Sequence, residues 1–454
     1  MEKLQVNRKY SLYYVYALPT IGIYFLLGPI GVLQGIYAKY FGLSLTSIAS
    51  VLLISRLFDA ISDPIIGYCS DKYHANRGSR KPFVACGGVF FVISSWFLFV
   101  PSLPVSEVYF LFWFLAFYLA YTLFDIPHLA WAGDLTSTPE ENNIIFGRRA
   151  LGLYLGTLLF HLVPFLPFFD SNAFTPQTLR WAVIFSGLLV LPLIYMVLKV
   201  VPDGISKDHA NLYQARGLRK TKSCTKKPVI IGNTALLTFL VSFFFSGVGI
   251  GMWFAMLFIF TESYLGLGEY FAIISLAGLT SGILSLNLWR YLASRFGKQI
   301  CWSAGMAMVA TGFLSTGMIQ PGESSLMPFL VVVMVTNFGY STILVLAPSL
   351  LSDIIYYSEW KYGQDCAGTY FSLYTLTLKT NVALGGALSL AIAGWFGFDP
   401  SKTDHSINSV FGLNLSIAWL PVCVVCFSIF IILLIPINAR QHQIVFRRVS
   451  SNEK

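Results

Sequence analysis

The sequence predicts an all-α polytopic membrane protein of about twelve transmembrane helices in two pseudo-symmetric six-helix bundles. Three observations carry that expectation. The chain is 56% hydrophobic and only 11% charged, against about 25% charged in a soluble domain, and its mean hydropathy is +0.68. Apolar runs of about 20 residues, enough to cross a bilayer as a helix, recur along the whole length. The longest basic, polar stretch, 202–228, falls near the middle and separates about six runs from about six. The expected domains are therefore a bundle over 1–201, a cytoplasmic linker over 202–228, a second bundle over 229–438 and a cytoplasmic tail over 439–454.

The first run, 11–38, holds Pro19, Gly22, Gly28, Pro29 and Gly31, which permit kinks and close helix contacts. No small-residue cleavage site follows it, so it is expected to stay as a span. The second, 45–70, contains Arg56, Asp59 and Asp63. Spacings of three, four and seven put all three on one helical face. A charge near the bilayer centre costs roughly 2.5–3.5 kcal/mol, so the three are expected to face a cavity or one another, which points to ion or substrate handling. The third run is 82–101. The fourth, 107–133, carries Asp125 mid-span, with His128 one turn on, able either to relay protons or simply to pack. The fifth, 147–169, opens on Arg149, a functional cation or an interface anchor, and holds His161, open to the same two readings as His128. The sixth is 180–200.

In the second half the runs are 229–261, with Gly247, Gly249 and Gly251, then 269–292, 299–319 and 326–352. Asp353 and Glu359, just beyond the last of these, read as a salt-bridged cytoplasmic end. Run 366–394 carries Lys379 near its middle, a long reach for snorkelling to an interface. Run 411–436 completes the set.

The net charge of +9 invites a nucleic-acid partner, but its distribution excludes one. Basic residues cluster in alternate loops, at 71–81, 199–227, 290–298 and after Arg440, while the opposite loops hold Glu107, Asp170, Glu262, Glu269, Glu323, Asp399 and Asp404. The positive-inside rule then places both termini in the cytoplasm, and a bacterial cytoplasmic (inner) membrane is the expected location. The seven cysteines are scattered; Cys423 and Cys426 form a C-x-x-C inside an apolar helix, read as small packing residues. There is no phosphate-binding G-x-x-x-x-G-K-(S/T) string, which argues against an ATP-driven pump. No nucleophile–base or metal-ligand constellation suggests an enzyme.

The loop after the second run reads Gly67-Tyr-Cys-Ser-Asp71-Lys72, then Arg77-Gly78-Ser-Arg80-Lys81-Pro82, with a weaker counterpart over 290–298. This string resembles the loop signature of the major facilitator superfamily. Its chemistry is that of a charge latch, Asp71 pairing with Arg77 or Arg80 beside Lys81; a plain topogenic loop is the alternative.

A second resemblance is more specific. The string Arg56-x-x-Asp59-Ala-Ile-x-Asp63-Pro64, then Asp125-Ile-Pro127, Arg149, Asp353-Ile-x-x-Tyr357-x-Glu359-x-Lys361 and Lys379 resembles the glycoside–pentoside–hexuronide:cation symporters from about residue 40 to 390. The resemblance implies the major facilitator fold and alternating access. It implies that Asp59 and Asp63 bind the coupling cation, H+ or Na+, with Thr122 and Ser62 beside them. It implies that Asp125, Arg149, Lys379 and Thr375 contact a small-molecule substrate, a glycoside, pentoside or uronide. No cofactor is implied, and no metal beyond Na+ at the cation site. A monomer in the bilayer is expected. Three departures stand out. Ser62 stands where the resemblance has an asparagine beside the cation, and the lost carbonyl ligand favours H+ over Na+. Ile23 occupies the place of a sugar-binding acid in the first helix, and Leu129 that of a tryptophan. A less polar cavity leaves a lysolipid or other amphipathic cargo as an alternative on the same fold, and a non-transporting membrane sensor as a third reading.

Overall fold

The computed structural model describes residues 2–136, 139–203, 232–362, 367–402 and 404–436. Two compact units divide the chain, Met1–Leu218 and Arg219–Lys454. Nearly all of the expected linker and the whole of the expected tail lie outside the described residues.

In the first unit the helices are α1 (Glu2–Leu27), α2 (Ile30–Phe41), α3 (Leu45–Arg77), α4 (Lys81–Phe99), α5 (Glu107–Leu135), α6 (Pro139–Leu162) and α7 (Pro176–Val200). The expected single first span is thus interrupted at Gly28-Pro29, because proline cannot donate to the preceding turn. Helix α3 starts on a Ser44 cap, whose hydroxyl accepts from the Ser47 amide at 3.1 Å, and ends on Gly78, whose φ of 75° is left-handed and favours glycine. It is 33 residues long, roughly 50 Å, so it outlasts the ~30 Å hydrocarbon core and carries the polar 71–77 segment beyond it. Hydropathy ended the run at 70; the helix itself continues until Gly78.

The second unit contains α8 (Thr234–Ile259), α9 (Phe271–Phe296), α10 (Lys298–Thr316), α11 (Leu326–Tyr362), α12 (Ala367–Trp395), α13 (Ile407–Asn414) and α14 (Leu420–Leu433). One wide turn, Leu415–Trp419, joins α13 to α14 into a single rod.

Ten helices among the described residues are long and apolar enough to cross a membrane. Helices α6 and α10 do not reach that measure. The first carries Glu140, Glu141, Arg148 and Arg149 within its first three turns; the second is diluted by Lys298, Gln299 and small polar residues. The protein is an integral, multi-pass membrane protein, helical without strands among the described residues.

Each unit repeats one packing scheme. In the first, α1 packs on α6 and α7, α5 on α3 and α4, and α4 on α7. In the second, α8 packs on α12 and α14, α11 on α9 and α10, and α10 on α14. The two sets correspond helix for helix, and each is unchanged when its first three spans are exchanged with its last three, as an internal three-helix repeat requires. Backbone approaches at equivalent places tighten the scheme. A Cβ at Gly156 would overlap the Ile21 carbonyl oxygen across α1–α6, and one at Gly251 the Val382 carbonyl across α8–α12.

Candidate functional site

The face of α3 at 56–63 meets α5. Arg56 Nη1 donates to Asp59 Oδ2 at 2.8 Å, and its guanidinium lies 4.6 Å from the centre of the Tyr118 ring, a cation–π contact that helps hold the charge in place. Asp59 is 5% exposed. One turn on, Thr122 Oγ1 of α5 donates to Asp63 Oδ1 at 3.0 Å. Ser62 is buried between the two carboxylates in sequence, and its Oγ has no hydrogen-bond partner among the described residues. Pro64 follows Asp63 directly and supplies no amide to the Ala60 carbonyl, so a helix break in hydrogen bonding sits at the acidic pair.

A second cluster lies one turn along α5. Arg149 Nη2 of α6 donates to Asp125 Oδ1, and both side chains are largely buried. The phenols of Tyr24 and Tyr121 are 3.4 Å apart. Thr122 and Asp125 are three residues apart, so α5 holds one contact of each cluster within a single turn.

His128 is fully buried in the same helix. Its ring stacks on Tyr16 with centroids 4.2 Å apart and planes 2° from parallel, and Nε2 lies 3.1 Å from the Tyr16 carbonyl. The Tyr16 hydroxyl donates back to the His128 carbonyl. These bonds tie α1 to α5 directly beside the Asp125–Arg149 pair. His161 lies 2.9 Å from the Thr157 carbonyl through Nδ1 and edges onto Phe160 and Phe174.

In the second unit Lys379 and Thr375 lie one turn apart on an exposed face of α12, and Thr375 Oγ1 donates to the Phe371 carbonyl at 3.0 Å. The polar loop residues form a clasp at the end of α3. Arg80 reaches Asp71 at 2.7 Å, Asp134 at 2.8 Å and Ser70 Oγ at 3.1 Å. Burial works against the Arg80 charge, but the Asp134 and Asp71 carboxylates prevail and raise its pKa. Arg77 is exposed, and Lys81 pairs with Asp203 at 3.5 Å. The second unit has its own version, Lys298 bonding both oxygens of Asp353 at 2.8 and 2.6 Å. The side chain of Glu359 lies outside the described residues.

Sequence reasoning overlooked Tyr16, Tyr24, Tyr118, Tyr121 and Asp134. The tyrosines of α5 had a readable signal, since 118, 121, 122 and 125 share one helical face. Asp134 falls just past the fourth apolar run, 107–133, where hydropathy does not single it out.

The family model described as MFS/sugar transport protein matches residues 14–439. The chain is 21% identical to the glucuronide carrier protein homolog of Escherichia coli over 92% of its own length and 90% of that protein's. It is also 21% identical to the human sodium-dependent lysophosphatidylcholine symporter 1, covering 87% of this chain and 77% of that one. Among solved structures, a bacterial homolog of the human lysosomal transporter Spinster, inward-facing and unoccupied, matches with a TM-score of 0.68 at 14% identity, over 96% of this chain and 98% of the other; that likeness bears on the fold.

Proposed function

Because the chain belongs to the MFS/sugar transport protein family, as one of its glycoside–pentoside–hexuronide:cation symporters, we propose that it is a twelve-span, cation-coupled carrier of a sugar or glycoside. The observation that carries this reading is the single turn of α5 that bonds Asp63 through Thr122 and Arg149 through Asp125. The cation, H+ or Na+, binds Asp59 and Asp63 with the Ser62 and Thr122 hydroxyls beside them. In the first unit Asp125 and Arg149 are the substrate contacts, and in the second unit Lys379 and Thr375 are. Cation binding neutralises carboxylate charge in a low-dielectric setting and fixes α3 against α5, so the Asp125–Arg149 pair adopts its substrate-binding geometry only when the ion is present. One charge moving down 100 mV supplies about 2.3 kcal/mol, enough for roughly 50-fold accumulation. The Arg80 and Lys298 clasps act as latches on the cytoplasmic side.

A lysolipid cargo has one observation in its favour beyond the human relative. Where the resemblance places a sugar-binding acid in the first helix, this chain has Ile23, which is completely buried. Uptake into proteoliposomes decides between them. A radiolabelled panel of glycosides, pentosides and uronides, with a labelled lysolipid beside it, is offered under an imposed H+ or Na+ gradient. Gradient-driven sugar uptake is expected; uptake of the lysolipid alone contradicts the sugar reading.

A further inference from the structure

Three helices end on the same outward pattern. On α3 it is Ile61, Ile65, Tyr68 and Lys72; on α7, Leu188, Leu191, Tyr195 and Lys199; on α9, Leu284, Leu288, Tyr291 and Arg295. Each set runs two aliphatics, a tyrosine and a cation, the cation four residues beyond the ring. At 100° per residue the α3 set lies roughly 180–240° round the helix from Asp59, opposite the buried Ser55, Asp59, Ser62 and Ile66. The α7 set likewise faces away from the buried Val190, Ile194 and Val197. On α9 the other open face carries Asn287, Arg290 and Ser294, so the aliphatic stripe is the side suited to lipid. The aliphatic and tyrosine side chains of the three sets are between 42% and 73% exposed. Lys72 lies 5.9 Å from the Tyr68 ring centre, Lys199 5.8 Å from that of Tyr195, and Arg295 4.7 Å from that of Tyr291. Apart from those rings, none of the three cations has a hydrogen-bond or ion-pair partner among the described residues.

From first aliphatic to cation each stripe rises about 16 Å, half of the ~30 Å hydrocarbon core, which is the depth of one leaflet. The loops that follow, 71–81, 199–227 and 290–298, are the basic ones, so all three cations fall at the cytoplasmic leaflet. Around α9 no acid occurs between Glu269 and Glu323 to offset Arg290 and Arg295. We propose that the outward stripes of α3, α7 and α9 are docking sites for anionic phospholipid of that leaflet. An acyl chain lies along the aliphatics, the phenol sits at the level of the glycerol, and the lysine or arginine meets the phosphate. A zwitterionic headgroup carries its own cation beside the phosphate and gains less. A second copy of this chain would set cation against cation. The bound lipid is separate from any cargo, since on α3 its stripe lies opposite the face that holds Asp59.

The test titrates the full chain, purified in detergent, with phosphatidylglycerol and with phosphatidylcholine of the same acyl chains, and counts bound lipid by native mass spectrometry. One cation at an anionic headgroup is worth about 5-fold in affinity. Wild type is therefore expected to hold phosphatidylglycerol about 5-fold more tightly at each stripe. Lys72→Gln, Lys199→Gln and Arg295→Gln should each lose one tightly held phosphatidylglycerol, and the triple variant should bind the two lipids alike. The linker variant Arg219→Gln/Lys220→Gln/Lys222→Gln removes the same charge elsewhere and should keep the wild-type preference. Equal binding of the two lipids by wild type overturns the proposal. So does a triple variant that keeps the preference, or a linker variant that abolishes it. Should the triple variant not fold, single variants that each retain the wild-type number of bound phosphatidylglycerols overturn it as well. None of these outcomes bears on symport, which is read from uptake.

Discussion

Asp59 and Asp63 sit four residues apart in one helix and meet different partners, a guanidinium and a hydroxyl. That difference has a measurable consequence. Arg56→Ala leaves the buried Asp59 carboxylate without its cation, and breaking such a pair costs about 3–5 kcal/mol, toward the low end because the Arg56 side chain is 21% exposed. The double variant Arg56→Ala/Asp59→Asn also removes the carboxylate charge that lost its guanidinium, and should unfold at a higher temperature in detergent than Arg56→Ala alone. A double variant no more stable than the single one would show that the pair does not hold this face together. The acids were legible in the sequence because a charge in an apolar run is conspicuous. The α1 tyrosines were not, because an aromatic ring in such a run looks the same whether it packs in the core or faces a polar cluster; those of α5 could be read only through the face they share with Thr122 and Asp125. Even the Asp125–Arg149 contact, 24 positions apart, needed the folded α5–α6 pairing to be seen.

At the scale of elements, the fit of α1 to α6 and of α8 to α12 rests on positions where no side chain fits. Gly156→Ala and Gly251→Ala should each drive a methyl into a partner carbonyl and cost about 1–3 kcal/mol, read as a fall in the unfolding temperature. Gly31→Ala is the internal control, since a Cβ there meets nothing within 4 Å, and it should be near neutral. Equal losses in all three would refute the close-approach explanation. At the clasp, Arg80→Ala strips partners from both Asp71 and Asp134 at once. It should cost more stability than Lys81→Ala, whose longer contact with the half-exposed Asp203 is a surface pair worth about 0–1 kcal/mol. Equal costs would count against the clasp. Apolar periodicity gave the existence of these helices but not their ends. The polar tail of α3 and the early start of α6 at Pro139 are helical because capping and neighbouring helices sustain them, which hydropathy does not register.

For the whole molecule, the repeated packing scheme of the two units follows from what the sequence already suggested, six runs on either side of a basic middle stretch. The equivalent clasps, Arg80 with Asp134 and Lys298 with Asp353, fall at corresponding places in that repeat. Their loops carry the basic clusters that the positive-inside rule assigns to the cytoplasm. Reporter fusions at residues 80, 298 and the C-terminus should therefore all report a cytoplasmic position, and a fusion near Asp404 the opposite side. Any of the first three reporting the far side would invert the topology. What the composition could not supply was cargo, because a few polar side chains inside a bundle leave no mark on the pattern of hydropathy. The central claim, that ion binding at the α3 carboxylates drives substrate accumulation, is tested most directly by comparing uphill uptake with equilibrium exchange in proteoliposomes of the wild type, Asp59→Asn and Asp63→Asn. The expected result is that both variants lose gradient-driven accumulation while sugar exchange between equal concentrations persists. Variants that still concentrate the sugar would contradict the placement of the coupling ion at Asp59 and Asp63.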